Sequence, residues 1–205
     1  MTLTRRKTMA LGLGGLLVLP AAARGQLVHG PDPVALTHDP DQPVLGNPEG
    51  DVTIVEFFDY QCPFCRQGHA ALLRMVGADG GLRLVMKDWP VFGPLSLRAA
   101  QVALGAVGMG RYAAVMDSLM ALRGGRLTEA AIDTAARDAG VDPAAALDAH
   151  AQEADRWTGL LRRNGEQADM LGLMGTPSYV VGQDVFAGVT SVMALQRAVD
   201  ALRRG

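Results

Sequence analysis

The sequence predicts an α/β domain whose sheet is interrupted by a long helical insertion. Three observations carry that reading. First, Val52 to Phe58 is a nearly continuous apolar run rich in β-branched and aromatic residues, followed by a helical pattern and a second run, Leu82 to Met86. Strand, helix, strand with buried strands is the unit of a parallel sheet. Second, from Asp88 to Thr176 there is almost no strand signal, although a crossover needs only about a dozen residues. Third, two short strand-like runs and an amphipathic stretch close the chain.

The chain has 205 residues, 49% hydrophobic and 20% charged. That composition suits one globular domain with an insertion and excludes disorder, collagen and coiled coil. A chain of this size buries a large core without covalent staples. Its two cysteines exclude a disulfide-rich scaffold and a four-cysteine zinc module.

Arg5, Arg6 and Lys7 precede an almost wholly apolar stretch, Met9 to Leu19, and the small residues Ala21-Ala22-Ala23. This order reads as a secretory signal over residues 1–23, with an uncleaved anchor as the alternative. The apolar stretch falls short of the ~20 residues of a spanning helix. Without residues 1–23 the balance is 16 Lys/Arg against 21 Asp/Glu, a net charge of -5. That disfavours nucleic acid and anionic membrane as partners. Export also puts both cysteines in an oxidising compartment.

The elements follow in order. Residues 24–50 carry Pro31, Pro33, Pro40, Pro43 and Pro48 and read as an extended lead-in. After the first strand, residues 63–76 form a helix with Cys65, Leu72 and Val76 on one face and Arg66, Gln67 and Arg74 on another. Alanine-rich helices are expected over 96–109, 111–122, 128–139 and 143–172, with Gly124-Gly125 and Gly140 as breaks. Ser178 to Val181 is a strand, Gly182-Gln183-Asp184 a turn, and Val185 to Ala187 the return of a hairpin. The last helix starts near Thr190 or Ser191, with Val192, Leu195, Val199 and Leu202 as its apolar stripe.

The chemistry is expected at Cys62-Pro63-Phe64-Cys65, directly after a buried strand and at a helix start. Free N–H groups and the dipole there favour a thiolate at Cys62, the reactive form. Pro63 is tolerated in the first turn. Cys65 lies one turn deeper and is expected to attack only a mixed disulfide already formed at Cys62. Three other readings compete: a structural disulfide, half of a metal site, and two buried apolar thiols. His69, one turn after Cys65, is the only local candidate for a further ligand and reads as a surface helix residue.

Glu56 sits inside the first strand on the face of Ile54 and Phe58. A buried carboxyl there has its pKa raised. It serves as a proton shuttle, as a salt-bridge partner of Lys87, or as both. Gly175-Thr176-Pro177 reads on its own as turn punctuation before a strand.

Phe57-Phe58-Asp59-Tyr60-Gln61-Cys62-Pro63-Phe64-Cys65, with Thr176-Pro177 downstream, resembles the DsbA-like thiol–disulfide oxidoreductases over roughly residues 43–205. The resemblance implies a thioredoxin fold with an inserted helical subdomain. The domain would span 51–88 and 176–205, the insertion 89–175, and an extended segment 24–50. It also implies a cis Pro177 beside Cys62, a Thr176 backbone that pairs with substrate, and Glu56 as the buried acid. Lys87 and Asp88 would lie near the active centre. Gly68, Leu171, Leu173 and Met174 are candidates for an apolar peptide groove, with core packing as the alternative. Phe64 departs from the histidine of the best-known oxidases, which lowers the expected oxidising power.

The expected function is a periplasmic dithiol oxidase that donates the Cys62–Cys65 disulfide to exported proteins. No organic cofactor and no metal are needed, and a monomer is expected. A DsbB-like quinone-linked membrane partner would reoxidise it, by family inference. The alternatives are a reductase or isomerase, and, in another class, a thiol-based metal-binding or chaperone module. Residues 24–50 are too short for the dimerisation domain of the family's isomerases.

Overall fold

The structure is a computed structural model that describes residues 30–205; the basic start, the apolar stretch and Ala21-Ala22-Ala23 lie outside them. Five strands form one mixed sheet in the order β1-β3-β2-β4-β5. They are β1 (Val44–Gly46), β2 (Val52–Phe58), β3 (Leu82–Asp88), β4 (Ser178–Val181) and β5 (Asp184–Ala187). β2 and β3 run parallel, from Val52 opposite Leu82 to Phe58 opposite Asp88. Their crossover is α2 (Pro63–Asp79). β4 returns antiparallel to β2, with Glu56 opposite Tyr179, and β5 hairpins back on β4. β1 closes the other edge, antiparallel to β3.

Alternation along β2 sorts its side chains into two apolar layers. Ile54 and Phe58 face Leu72 and Val76 of α2, and Leu195 and Val199 of α8 (Val192–Arg204). This layer continues without a break into the helical insertion: α3 (Pro94–Gly105), α4 (Tyr112–Met120), α5 (Glu129–Asp138) and α6 (Pro143–Gln152). Val55 and Phe57 face the other way, with Val85 of β3, under Leu36 of α1 (Pro33–Thr37) and Ala168 of α7 (Ala154–Met170). Burying each such side chain contributes about 1.5–3 kcal/mol. The fit is close: a Cβ on Gly105 of α3 would come within 1.9 Å of the Ala146 carbonyl oxygen of α6.

The fold departs from expectation in two places. The stretch read as an extended lead-in contains α1 and β1. Asp32 caps α1 by accepting the Val34 N–H at 2.9 Å, with Pro33 in the first turn. The segment is then tied down by the Gln42 side-chain amide on the Met86 carbonyl and by the Arg83 guanidinium on the Thr37 carbonyl. The long helix expected over 143–172 is two helices, broken at Glu153, whose φ and ψ of -113° and 31° leave the helical region.

Candidate active site

Two turns bring the site together. β2 ends at Phe58, and the chain reverses through Asp59–Gln61, where the Cys62 N–H donates to the Asp59 carbonyl at 3.0 Å. The buried Asp59 carboxylate accepts the Gln61 N–H at 2.6 Å, the Phe92 N–H at 3.0 Å and the Ser96 hydroxyl at 2.7 Å. Three donors fix both the turn and the neighbouring 89–93 loop. Cys62 is then the N-cap of α2, in extended conformation, with Pro63 in the first turn. From the far end of the insertion, the cis Thr176–Pro177 bond brings Thr176 against it. The Cys62 thiol donates to the Thr176 carbonyl at 3.2 Å.

Both cysteines are free thiols and both are buried. Their surroundings nevertheless drive them apart. The Cys62 thiol is lowered from 9.0 to about 6. The largest cause is a hydrogen bond from the Cys65 thiol; burial opposes it, and Thr176 and the N–H groups of Cys65 and Phe64 add to it. The sequence reading put the helix N–H groups first; the neighbouring thiol ranks above them. Cys65 is pushed far up, by burial first, then by its bond to Cys62 and the charge of Glu56. The chain neighbours Pro63 and Phe64 are exposed, Phe64 by half.

Glu56 is buried on the thiol side of the sheet, and burial raises it from 4.5 to about 8. Among the described residues its one hydrogen-bond partner is Tyr179, whose hydroxyl donates to Oε1 at 3.3 Å and partly offsets the shift. The salt bridge to Lys87 does not form. The register sets Glu56 beside Met86 and Lys87 beside Phe57, and cross-strand partners share a face, so the two charges lie on opposite sides of the sheet. Lys87 is therefore also not beside the thiols. It is fully buried near Asp39, Arg163 and Arg83, with no hydrogen-bond partner for Nζ among the described residues.

Asp88 ends β3 beside Phe58. Burial raises it to about 7, opposed by the Tyr112 hydroxyl, which donates to it at 2.9 Å. His69 is buried, not on the surface, and its Nε2 lies 2.8 Å from Asp117 of α4. Among the groove candidates, Leu173 is core and Leu171 packs against it, while Met174 is 95% exposed. A Cβ on Gly68 would stand 3.9 Å from the Tyr179 hydroxyl.

Asp59 lies inside the motif that carries the resemblance without being singled out by it, and Tyr179 belongs to no motif. Tyr179 is two residues past Pro177, and only the β2–β4 register shows that it faces Glu56.

The comparisons with known proteins agree with this geometry. The family model described as Thioredoxin matches residues 38–201. A thioredoxin-like oxidoreductase from Silicibacter pomeroyi DSS-3 is 40% identical, with a TM-score of 0.80 over 85% of this chain and 99% of that one. The thiol-disulfide exchange protein alpha-DsbA2 from Wolbachia pipientis is 25% identical, with a TM-score of 0.75 over 82% of this chain and 90% of that one. Among curated proteins, the Na(+)/H(+) antiporter NhaA 3 of Salinispora tropica is 30% identical over 78% of this chain and 25% of its own length. The chain spans about a quarter of the curated relatives it matches. With its mixed sheet, its cysteine pair at the head of α2 and its cis proline opposite, the chain belongs to the thioredoxin family, among the DsbA-like thiol–disulfide oxidoreductases.

Proposed function

We propose that the chain is a dithiol oxidase of the periplasm that passes the Cys62–Cys65 disulfide to exported polypeptides. The observation that carries this is the split between the two thiols, with Cys62 lowered to about 6 and Cys65 pushed far up. A stabilised Cys62 thiolate stabilises the reduced enzyme, and that makes the disulfide a stronger oxidant. The basic start and apolar stretch over residues 5–19 support export.

The exchange runs in two displacements. A client thiolate attacks Cys62 Sγ, the Cys62–Cys65 bond breaks, and Cys65 leaves with the electron pair. Burial makes a free Cys65 thiolate costly, so a proton must reach it. Glu56, raised to about 8, still holds a proton at neutral pH and supplies it. A second client thiolate then attacks the client sulfur of the mixed disulfide, and Cys62 leaves as the thiolate its surroundings favour. The client gains a disulfide, the enzyme gains two electrons, and a DsbB-like quinone-linked partner takes them away. Thr176 and Pro177 form the wall against which the client backbone lies.

Equilibration of the Cys62–Cys65 pair with glutathione tests the direction. The expected potential is well above the roughly -270 mV of thioredoxin, each 30 mV being ~1.4 kcal/mol. A value near -270 mV would overturn the oxidase reading in favour of a reductase.

A further inference from the structure

Beside the nucleophile lies a notch of about 280 Å³ that touches both residues flanking Cys62, Gln61 and Pro63. Its apolar wall is Phe92, about half exposed. Its other wall is cationic. Arg66 lies one helical turn past Cys62, its N–H bonded to the Cys62 carbonyl, so the two share a face of α2. The Arg66 guanidinium donates to the carbonyls of Leu122 at 3.2 Å, Gly124 at 3.3 Å and Gly125 at 2.9 Å. The φ of +101° at Gly124, open to glycine, turns these carbonyls toward it. All three partners are neutral, so Arg66 is held in place with its charge uncancelled. Arg126, exposed, also lines the notch. Among the described residues, no ion pair involves Arg66, Arg123 or Arg126. The carboxylate next to the notch, Asp59, is buried and occupied by three donors of its own.

We infer that this notch receives a carboxylate of the incoming polypeptide, so that the enzyme exchanges fastest with cysteines flanked by Asp or Glu. Three of the five guanidinium N–H groups are taken by these carbonyls, so Arg66 acts on a carboxylate as a fixed positive charge rather than as a two-bond fork, with Arg126 beside it. Phe92 offers apolar cover for the side-chain stem. A client cysteine joined to Cys62 brings its chain neighbours to Gln61 and Pro63, where the notch opens. This inference rests on the exchange reading and names its substrate class.

The test uses three five-residue peptides with a central cysteine flanked on both sides by Glu, Gln or Lys. The rate at which each reduces the oxidised enzyme is measured at low salt. The Glu peptide is expected to react about tenfold faster than the Lys peptide, with Gln between, because charges beside a contact act mainly on association. Raising the salt to about 0.5 M is expected to shrink the ratio to about twofold. Arg126→Glu is expected to reverse the order, while Arg123→Gln, outside the notch, keeps it. Rates within twofold for all three peptides, or an unchanged order in Arg126→Glu, would overturn the inference. A failure of every peptide to react sinks the exchange reading instead. In that case serine-for-cysteine peptides still read the notch by NMR. The Glu peptide is expected to shift the amide resonances of Gly124, Gly125 and Arg126 and the Lys peptide to leave them; no shift with the Glu peptide would overturn the inference.

Discussion

Glu56 and Lys87 stand on neighbouring strands, both buried, both charged by ordinary chemistry, and they never meet. Glu56 looks toward the thiols and has a hydroxyl partner in Tyr179. Lys87 looks toward α1 and α7, where Asp39 and Arg163 already pair with each other at 2.6 Å. Burial moves both toward neutrality, Glu56 up to about 8 and Lys87 down to about 8. The same physical cost sits on each face of the sheet, but only one face has sulfur to use it. A buried charge is a functional signal only when a reacting group shares its layer.

That contrast can be broken by substitution. The largest effect is expected from Glu56→Gln. Loss of the proton donor slows release of Cys65 at pH 7 by about 10²-fold, and the break near pH 8 in the exchange rate disappears. Stopped-flow reduction of the oxidised enzyme measures both. The same variant reports on stability. The folded pKa of Glu56 lies above its usual 4.5, so the folded state binds the extra proton between pH 4.5 and about 8, and stability falls as pH rises through that window. Gln removes the penalty, so the gain in denaturant midpoint is expected to be absent below pH 4.5 and full above pH 8.

Lys87→Met is expected to do the reverse. Its folded pKa lies below the usual 10.5, so the penalty is full below about pH 8 and gone above pH 10.5. Replacement raises stability by roughly 1–3 kcal/mol at pH 7 and not at pH 11. The exchange rate and the redox potential stay as in the parent. A changed potential would show that the two faces communicate and would undo the comparison.

Tyr179→Phe is expected to have the smallest effect. The hydroxyl stabilises ionised Glu56, so its loss moves the break in the exchange rate upward from pH 8 by up to about one unit. A downward move would contradict the geometry.

Much of this arrangement was legible in the sequence, and each part that was not has a physical reason. Alternation within Val52–Phe58 placed Glu56 on the layer of Ile54 and Phe58, and the structure agrees. Alternation in one strand does not give the offset between two strands, so the distance between Glu56 and Lys87 could not be read. The same gap hid Tyr179 behind the register of β4. β1 escaped because its three residues, Val44–Gly46, are too few for a period to show. The break at Glu153 has no glycine or proline to announce it. His69 looked like a surface residue because its partner, Asp117, comes from the insertion. Local chemistry was legible; the pairing of separate elements was not.

Alkylation of the reduced protein with iodoacetamide across pH 4–10, following Cys62 by mass spectrometry, tests the central claim most directly. The account predicts that modification rises with a midpoint near pH 6 while Cys65 stays unmodified throughout. A midpoint near 9 would mean that the head of α2, the Cys65 thiol and Thr176 do not stabilise the thiolate, and the oxidase reading would fall with it.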